Sequence, residues 1–315
     1  MKYFDLHCDT PYRMYVKKCS FDKNDLHVSL ERTEKEFSQY TQLAAYCASS
    51  KVSDEEGFEL YLKHTDNFKA ELERLSGRVS LCLDYDDLKN AEKLGKSAIF
   101  LAVEDARILA GNLSRLDLLY QNGCRFLTMV WGGESCIGGA HNTSPGLTHF
   151  GKSAARRAFE LGIVPDVSHS SESTVDDLIE ISTELGKPLI ATHSNSYEVY
   201  SHSRNLRDRH FKEIVSTGGI VGISLCDIHI QPAEYGHPNI DSIVRHIEHY
   251  LEIGGENTIC MGCDFDGCDL PDGFESVSDT VKLFDRLSQL GYSNELIEKI
   301  SYKNAREFIK RNFSK

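Results

Sequence analysis

The chain has 315 residues, 40% of them hydrophobic, a net charge of -13 and a pI near 5.5. That acidity argues against nucleic acid and anionic membranes as partners, since both recruit basic patches. The sequence holds no apolar run long enough for a membrane span, and neither end carries an apolar signal region or lipid-anchor tail. The apolar share supports a large core, and a single barrel-type domain over 1–315 accommodates the length. Ten cysteines occur without zinc-finger spacing. Cys47, Cys82 and Cys260 sit in apolar runs, where a thiol packs as a small hydrophobe, so a reducing cytoplasm is expected.

The first predicted strand is Tyr3-Phe4-Asp5-Leu6-His7-Cys8-Asp9-Thr10. Strand alternation puts His7 and Asp9 on one face, where an imidazole and a carboxylate can hold a divalent metal. An irregular loop is expected from Pro11 to about Ser29, and a second strand over 41–47. Helical spacing of Phe58, Tyr61, Leu62, Phe68, Leu72 and Leu75 predicts a helix over 55–75, and another follows over 84–94. The third strand, 98–104, is almost continuously apolar, as in a sheet covered on both faces.

A helix over 113–122 leads to a fourth strand, 125–131, and then a glycine-rich loop to about 148. Further strands are expected over 163–169, 188–193, 219–225 and 258–264. Helices are expected between them over 151–161, 172–185, 208–216 and 240–253. Two more, 278–290 and 294–312, close the chain. Eight strands, each followed by a helix or a long loop, predict an α/β fold of the (β/α)8 TIM-barrel type with extra C-terminal helices. An open doubly wound sheet is disfavoured, because no Gly-x-Gly-x-x-Gly follows the first strand.

Strands one, three, five, six and eight end in His7 and Asp9, Glu104, His169, His193 and Asp264. Barrel strands carry their C-terminal ends to one face, where active sites lie. Each residue has an ordinary structural alternative: Glu104 could pair with Arg107, His169 could cap the next helix, and Asp264 could belong to a turn. Together they hold too many donors for one tetrahedral zinc with an open position, and they suit two metals sharing a carboxylate.

These segments resemble a known family. Phe4-Asp5-Leu6-His7-Cys8-Asp9-Thr10, Val103-Glu104, Val167-Ser168-His169, Thr192-His193-Ser194-Asn195-Ser196, His202-Ser203-Arg204-Asn205-Leu206-Arg207-Asp208 and Gly262-Cys263-Asp264-Phe265-Asp266-Gly267 look like the motifs of the renal (membrane) dipeptidases, peptidase family M19. Order and spacing match from residue 3 to about 312. The resemblance implies a metal-dependent hydrolase barrel that cleaves dipeptides with two zinc ions per chain and a hydroxide bridging them. By it, His7 and Asp9 hold one zinc, His169 and His193 the other, and Glu104 bridges. Arg204 binds the substrate's terminal carboxylate and Asp264 moves the proton. A homodimer is also implied by analogy.

The chemistry is consistent with that assignment. Two cations make hydroxide available near neutral pH, a carboxylate can carry its proton to the leaving amine, and arginine offers a planar fork to a carboxylate. One position departs from the pattern. Where well-formed family sites place a histidine that supports the carbonyl oxygen, this chain has Trp131, whose indole donates one hydrogen bond and carries no charge. His141 and Asn142, His229 and Tyr235 are further loop candidates for the pocket, and Asp166 for orienting a ligand imidazole. His64, His246 and His249 read as surface or core residues of helices. The alternative function is a related binuclear amidohydrolase acting on another small carboxylate-bearing amide, lactone or N-acyl amino acid. A barrel that binds a ligand without catalysis is a third reading.

Overall fold

The computed structural model describes residues 1–47 and 51–314. The single-domain expectation also takes in 48–50 and 315, which lie outside the described residues. Among the described residues there are nine strands: β1 (Lys2–Cys8), β2 (Gln39–Cys47), β3 (Val79–Leu81), β4 (Ser97–Glu104), β5 (Cys124–Thr128), β6 (Val164–Asp166), β7 (Ile190–Ala191), β8 (Ile220–Ile223) and β9 (Ile259–Met261). Every pairing between them is parallel. The order runs β2-β1-β9-β8-β7-β6-β5-β4, and β2 also pairs with β4, which closes eight strands into a barrel. β3 is additional. It pairs with residues 97–99 of β4, below the stretch that β5 uses, and is too short to stand out in the sequence.

One apolar cluster draws on all eight barrel strands, including Phe4, Leu43, Phe100, Phe126, Val164, Ile190, Ile220 and Cys260. It fills the barrel. Its lower end is closed by the helix Asn304–Phe313, whose Phe313 ring lies 5.5 Å from that of Phe126. A second, larger cluster lies between the strands and the surrounding helices. No helix among the described residues is long and apolar enough to cross a membrane.

Three expectations change. The loop after β1 begins with a helix, Thr10–Lys17, because Pro11 sits in its first turn, where a missing N–H costs nothing. A second helix, Leu30–Glu36, follows and is capped by the Ser29 hydroxyl. The last helical stretch is interrupted by a π-helical segment, Lys299–Lys303. Several strands are also shorter than their apolar runs. β5 stops at Thr128, β6 at Asp166, β7 at Ala191 and β9 at Met261. Trp131, His169, His193 and Asp264 therefore stand just beyond strand ends, and His169 and Asp264 take left-handed backbone, with φ of 68° and 61°. The barrel is tight at this end: a Cβ on Gly262 would lie 1.7 Å from the Thr192 carbonyl oxygen.

Candidate active site

Glu104, the last residue of β4, is the centre of the upper barrel. Its Oε1 lies 3.0 Å from His169 Nε2 and 3.4 Å from both His7 Nε2 and His193 Nε2. His169 Nε2 and His193 Nε2 are 2.9 Å apart, and the His7 and His193 rings stack with centroids 3.8 Å apart. Asp9 Oδ1 and Asp264 Oδ1 approach His7 Nε2 from other sides, at 3.7 and 4.0 Å. The structure thus brings together His7, Asp9, Glu104, His169, His193 and Asp264. Two of the ordinary alternatives fail: Arg107 pairs with Asp54, and the helix after His169 is capped by Ser171. Asp264 does open a turn, its carbonyl oxygen accepting the Gly267 N–H at 3.1 Å, while its carboxylate faces the site.

Two inward aspartates hold this arrangement. Asp5 Oδ1 accepts the N–H groups of His7 and Cys263, and Oδ2 accepts the Tyr3 hydroxyl. Asp166 Oδ1 accepts the N–H groups of Ser168 and Thr192, and Oδ2 accepts the hydroxyls of Thr128 and Thr192. Each satisfies backbone where a strand splays into a loop. Asp166 also fixes a tautomer. The single Thr192 hydroxyl proton goes to Asp166 at 2.6 Å, so Thr192 Oγ1 accepts from His193 Nδ1–H at 2.8 Å. His193 Nε2 then presents its lone pair to the site.

The charge balance fits a divalent cation. Burial drives the His7 imidazole down to about 3 and holds His169 and His193 well below their ordinary value, so all three are neutral donors. Burial pushes Glu104 up to about 7. Burial, then Glu104 and Asp264, push Asp9 up as well. Two atoms, His7 Nε2 and Asp9 Oδ1, are buried without a hydrogen-bond partner. Neutral imidazoles, crowded carboxylates and orphaned acceptors are the surroundings that one or more metal ions would satisfy. Three mutually close donor groups cover this region: His7, Glu104 and His193; His7, Asp9 and Asp264; and Asp9, Cys47 and Glu104. Gly267 makes room for them, because a Cβ there would lie 2.3 Å from Asp264 Oδ1 and 2.4 Å from Asp9 Oδ2.

Arg204 reaches the site from the loop after β7. It is buried, and its guanidinium donates to Ser194 Oγ at 3.2 Å and to the His193 carbonyl oxygen at 3.0 Å. Its Nε has no partner, and the acceptors its guanidinium meets among the described residues are a hydroxyl and a carbonyl oxygen, not a carboxylate. Arg204 is not held in a surface pair with nearby Asp208, which pairs with His249 at 2.7 Å. Imidazoles surround the Arg204 side of the mouth. His141 bonds Ser203 through Nδ1 and lies 6.2 Å, ring to ring, from both His169 and His202. His202 is 4.9 Å from His229. Burial and then Arg204 lower the pKa values of His141, His202 and His229, so these rings too are neutral.

Trp131 stands at the rim, 37% exposed, with its ring 6.0 Å from that of His169. Asn142 accepts from the Gly133 N–H and shapes the loop. Tyr235 is 72% exposed. His246 is a core staple: its Nδ1 accepts from the Ser196 N–H, and its Nε2 lies 2.8 Å from the Ile230 carbonyl oxygen. His64 packs against Tyr15, with ring centroids 3.9 Å apart. Sequence reasoning missed Cys47, which sits beside Asp9 and Glu104 and is no ordinary packing thiol. Only its position at the end of β2 could have signalled that.

Solved structures with this barrel include a metallo peptidase from Rhodobacter sphaeroides liganded with a phosphinate mimic of the dipeptide L-Ala-D-Ala. It is 24% identical, covers 99% of both chains and superposes with a TM-score of 0.90, which shows the shared fold. An uncharacterized protein of Klebsiella pneumoniae is 29% identical over 239 residues, 73% of this chain and 87% of its own. An uncharacterized dipeptidase of Schizosaccharomyces pombe is 30% identical over 213 residues, 65% of this chain and half of that longer protein. The family model for membrane dipeptidase, peptidase family M19, matches residues 1–312, and the chain belongs to that family.

Proposed function

We propose that this chain hydrolyses the peptide bond of dipeptides, with two zinc ions held at the barrel mouth. The observation that carries this reading is Glu104 Oε1 within 3.4 Å of three neutral imidazole nitrogens, beside a buried arginine with no carboxylate partner. His7 and Asp9 would hold one ion, His169 and His193 the other, and Glu104 would contact both. Zinc there would supply Lewis acidity, making hydroxide available near neutral pH and polarising the scissile carbonyl.

The chain's own residues do the rest. Asp264 takes the proton of the attacking water and returns it to the leaving amine. Arg204 has two of its five N–H groups engaged, and the remaining ones meet the substrate's terminal carboxylate. The Asp166–Thr192 pair keeps His193 Nε2 unprotonated throughout. Membership of the dipeptidase family supports the substrate class, and the ligand of the Rhodobacter sphaeroides structure is a dipeptide mimic. Trp131 supports a second reading, a related hydrolase of lactones or N-acyl amino acids, because the residue that would steady a peptide carbonyl is replaced.

The test is a screen of the purified zinc-loaded protein against a dipeptide library, with tripeptides and N-acyl amino acids alongside. Release of free amino acids from dipeptides alone is expected. Turnover confined to the acyl compounds would establish the second reading instead.

A further inference from the structure

Two cysteines outside the ligand set meet beside Asp264. Cys226 follows β8 and Cys268 follows β9, and the two loops are joined by a hydrogen bond from the Asp227 N–H to the Asp269 carbonyl oxygen at 3.2 Å. Cys268 Sγ contacts the Asp264 carbonyl oxygen at 3.2 Å. The sulfurs of Cys226 and Cys268 and one Asp264 carboxylate oxygen all lie within 4.8 Å of one another. Cys226 is nearly buried and Cys268 partly open, so the cluster has an approach from solvent. Two other buried thiols have partners of a different kind: Cys263 meets the Tyr3 hydroxyl, and Cys260 the Thr258 carbonyl oxygen.

We propose that Cys226, Cys268 and the Asp264 carboxylate form a separate metal site that takes a thiophilic divalent cation, zinc in excess being the natural candidate. Two sulfurs and one carboxylate oxygen leave a fourth tetrahedral position for water. Sulfur ligands select softer cations than the nitrogen and oxygen donors around Glu104. On binding, both thiols release their protons to the solvent and both sulfurs bond the cation, with no change of oxidation state. The ordinary alternative is a hydrogen-bonded thiol pair. That contact, burial and Asp264 all raise the Cys268 thiol, so a cation binding there must displace its proton. A filled site would also engage the carboxylate assigned to proton transfer, so excess metal would inhibit. That consequence rests on the proposed role of Asp264; the binding itself does not.

Cadmium is the probe, since thiolate-to-cadmium charge transfer absorbs in the ultraviolet while nitrogen and oxygen ligands give no such band. The reduced, zinc-loaded protein is titrated with cadmium, alone and as Cys226→Ser, Cys268→Ser and Cys47→Ser. Circular dichroism confirms that each variant is folded. The expected band saturates at one added equivalent and persists in Cys47→Ser. In either of the other two variants it is lost, or needs at least ~10-fold more cadmium. No band, or a band lost only in Cys47→Ser, overturns the site. A band without loss of dipeptide hydrolysis keeps the site and removes Asp264 from proton transfer.

Discussion

Arg204 separates dipeptide hydrolysis from its rivals. Its guanidinium is buried, two of its N–H groups go to Ser194 and the His193 carbonyl, and its Nε is unpaired. A substrate carboxylate arriving there makes a charge-assisted bond worth about 1.5–3 kcal/mol, and leaving that carboxylate buried and unpaired costs more. Arg204→Ala is therefore expected to lower kcat/KM for dipeptides by roughly one to three orders of magnitude. Arg204→Lys should recover only part, because a point charge lacks the fork. The bond to the His193 carbonyl raises a competing explanation, that the mutation disturbs a metal ligand. Zinc content of each variant, measured by elemental analysis, separates the two and should be unchanged. The decisive comparison leaves the protein intact: native enzyme on a dipeptide and on its C-terminal amide. The amide should be a poor substrate, and Arg204→Ala should lose little further on it. Equal native rates on acid and amide would refute both the clamp and the substrate class.

Three further outcomes are expected. Elemental analysis should find two zinc ions per chain; stripping them should abolish hydrolysis and lower Tm, because ligands bound only by the folded state stabilise it. Full activity with a single tightly bound ion would end the two-ion reading. Thr192→Val keeps the shape but removes the hydroxyl that orients His193, so zinc affinity should fall about 10–100-fold in competition with a chromophoric chelator. Unchanged affinity would mean that His193 needs no such partner. Trp131→His should raise dipeptide turnover, since an oxyanion donor is typically worth about 10²–10³ in rate and even a small share is measurable. If Trp131→Ala leaves every kinetic constant unchanged, the indole lies outside the site.

The barrel was legible because both faces of its strands are covered, which writes near-continuous apolar runs such as that of β4 into the sequence. Apolar runs do not mark where pairing stops. β7 is two residues long, although its run reaches His193. His169 and Asp264 follow their strands in left-handed backbone, a conformation aspartate tolerates and periodicity cannot register. The predicted site residues still meet despite those errors, because the order of residues along the chain, rather than their secondary structure, puts them at one end of the barrel. Contacts between distant loops left no trace. Nothing local to Cys226 or Cys268 marks them as neighbours, and Cys47 reads like any small apolar residue until β2 is seen to end beside Glu104.

The site is a liability that the rest of the fold sustains. Without cations it collects carboxyls pushed up by burial and mutual repulsion, imidazoles held neutral, and an arginine lacking a counter-ion. Each of these opposes folding. His169 and Asp264 carry left-handed backbone, Asp105 and Asp266 beside the site residues also take positive φ, and such strain persists only where the surroundings over-determine it. Asp5 and Asp166 supply that constraint: between them they accept four backbone N–H groups at the strand ends, and through these they fix where His7 and His193 begin. Their side chains point at backbone and hydroxyl groups rather than at a substrate. A change at either should therefore disturb the position of every donor above it, whereas a change at Arg204 or Trp131 should leave the donors in place and alter only what the site accepts.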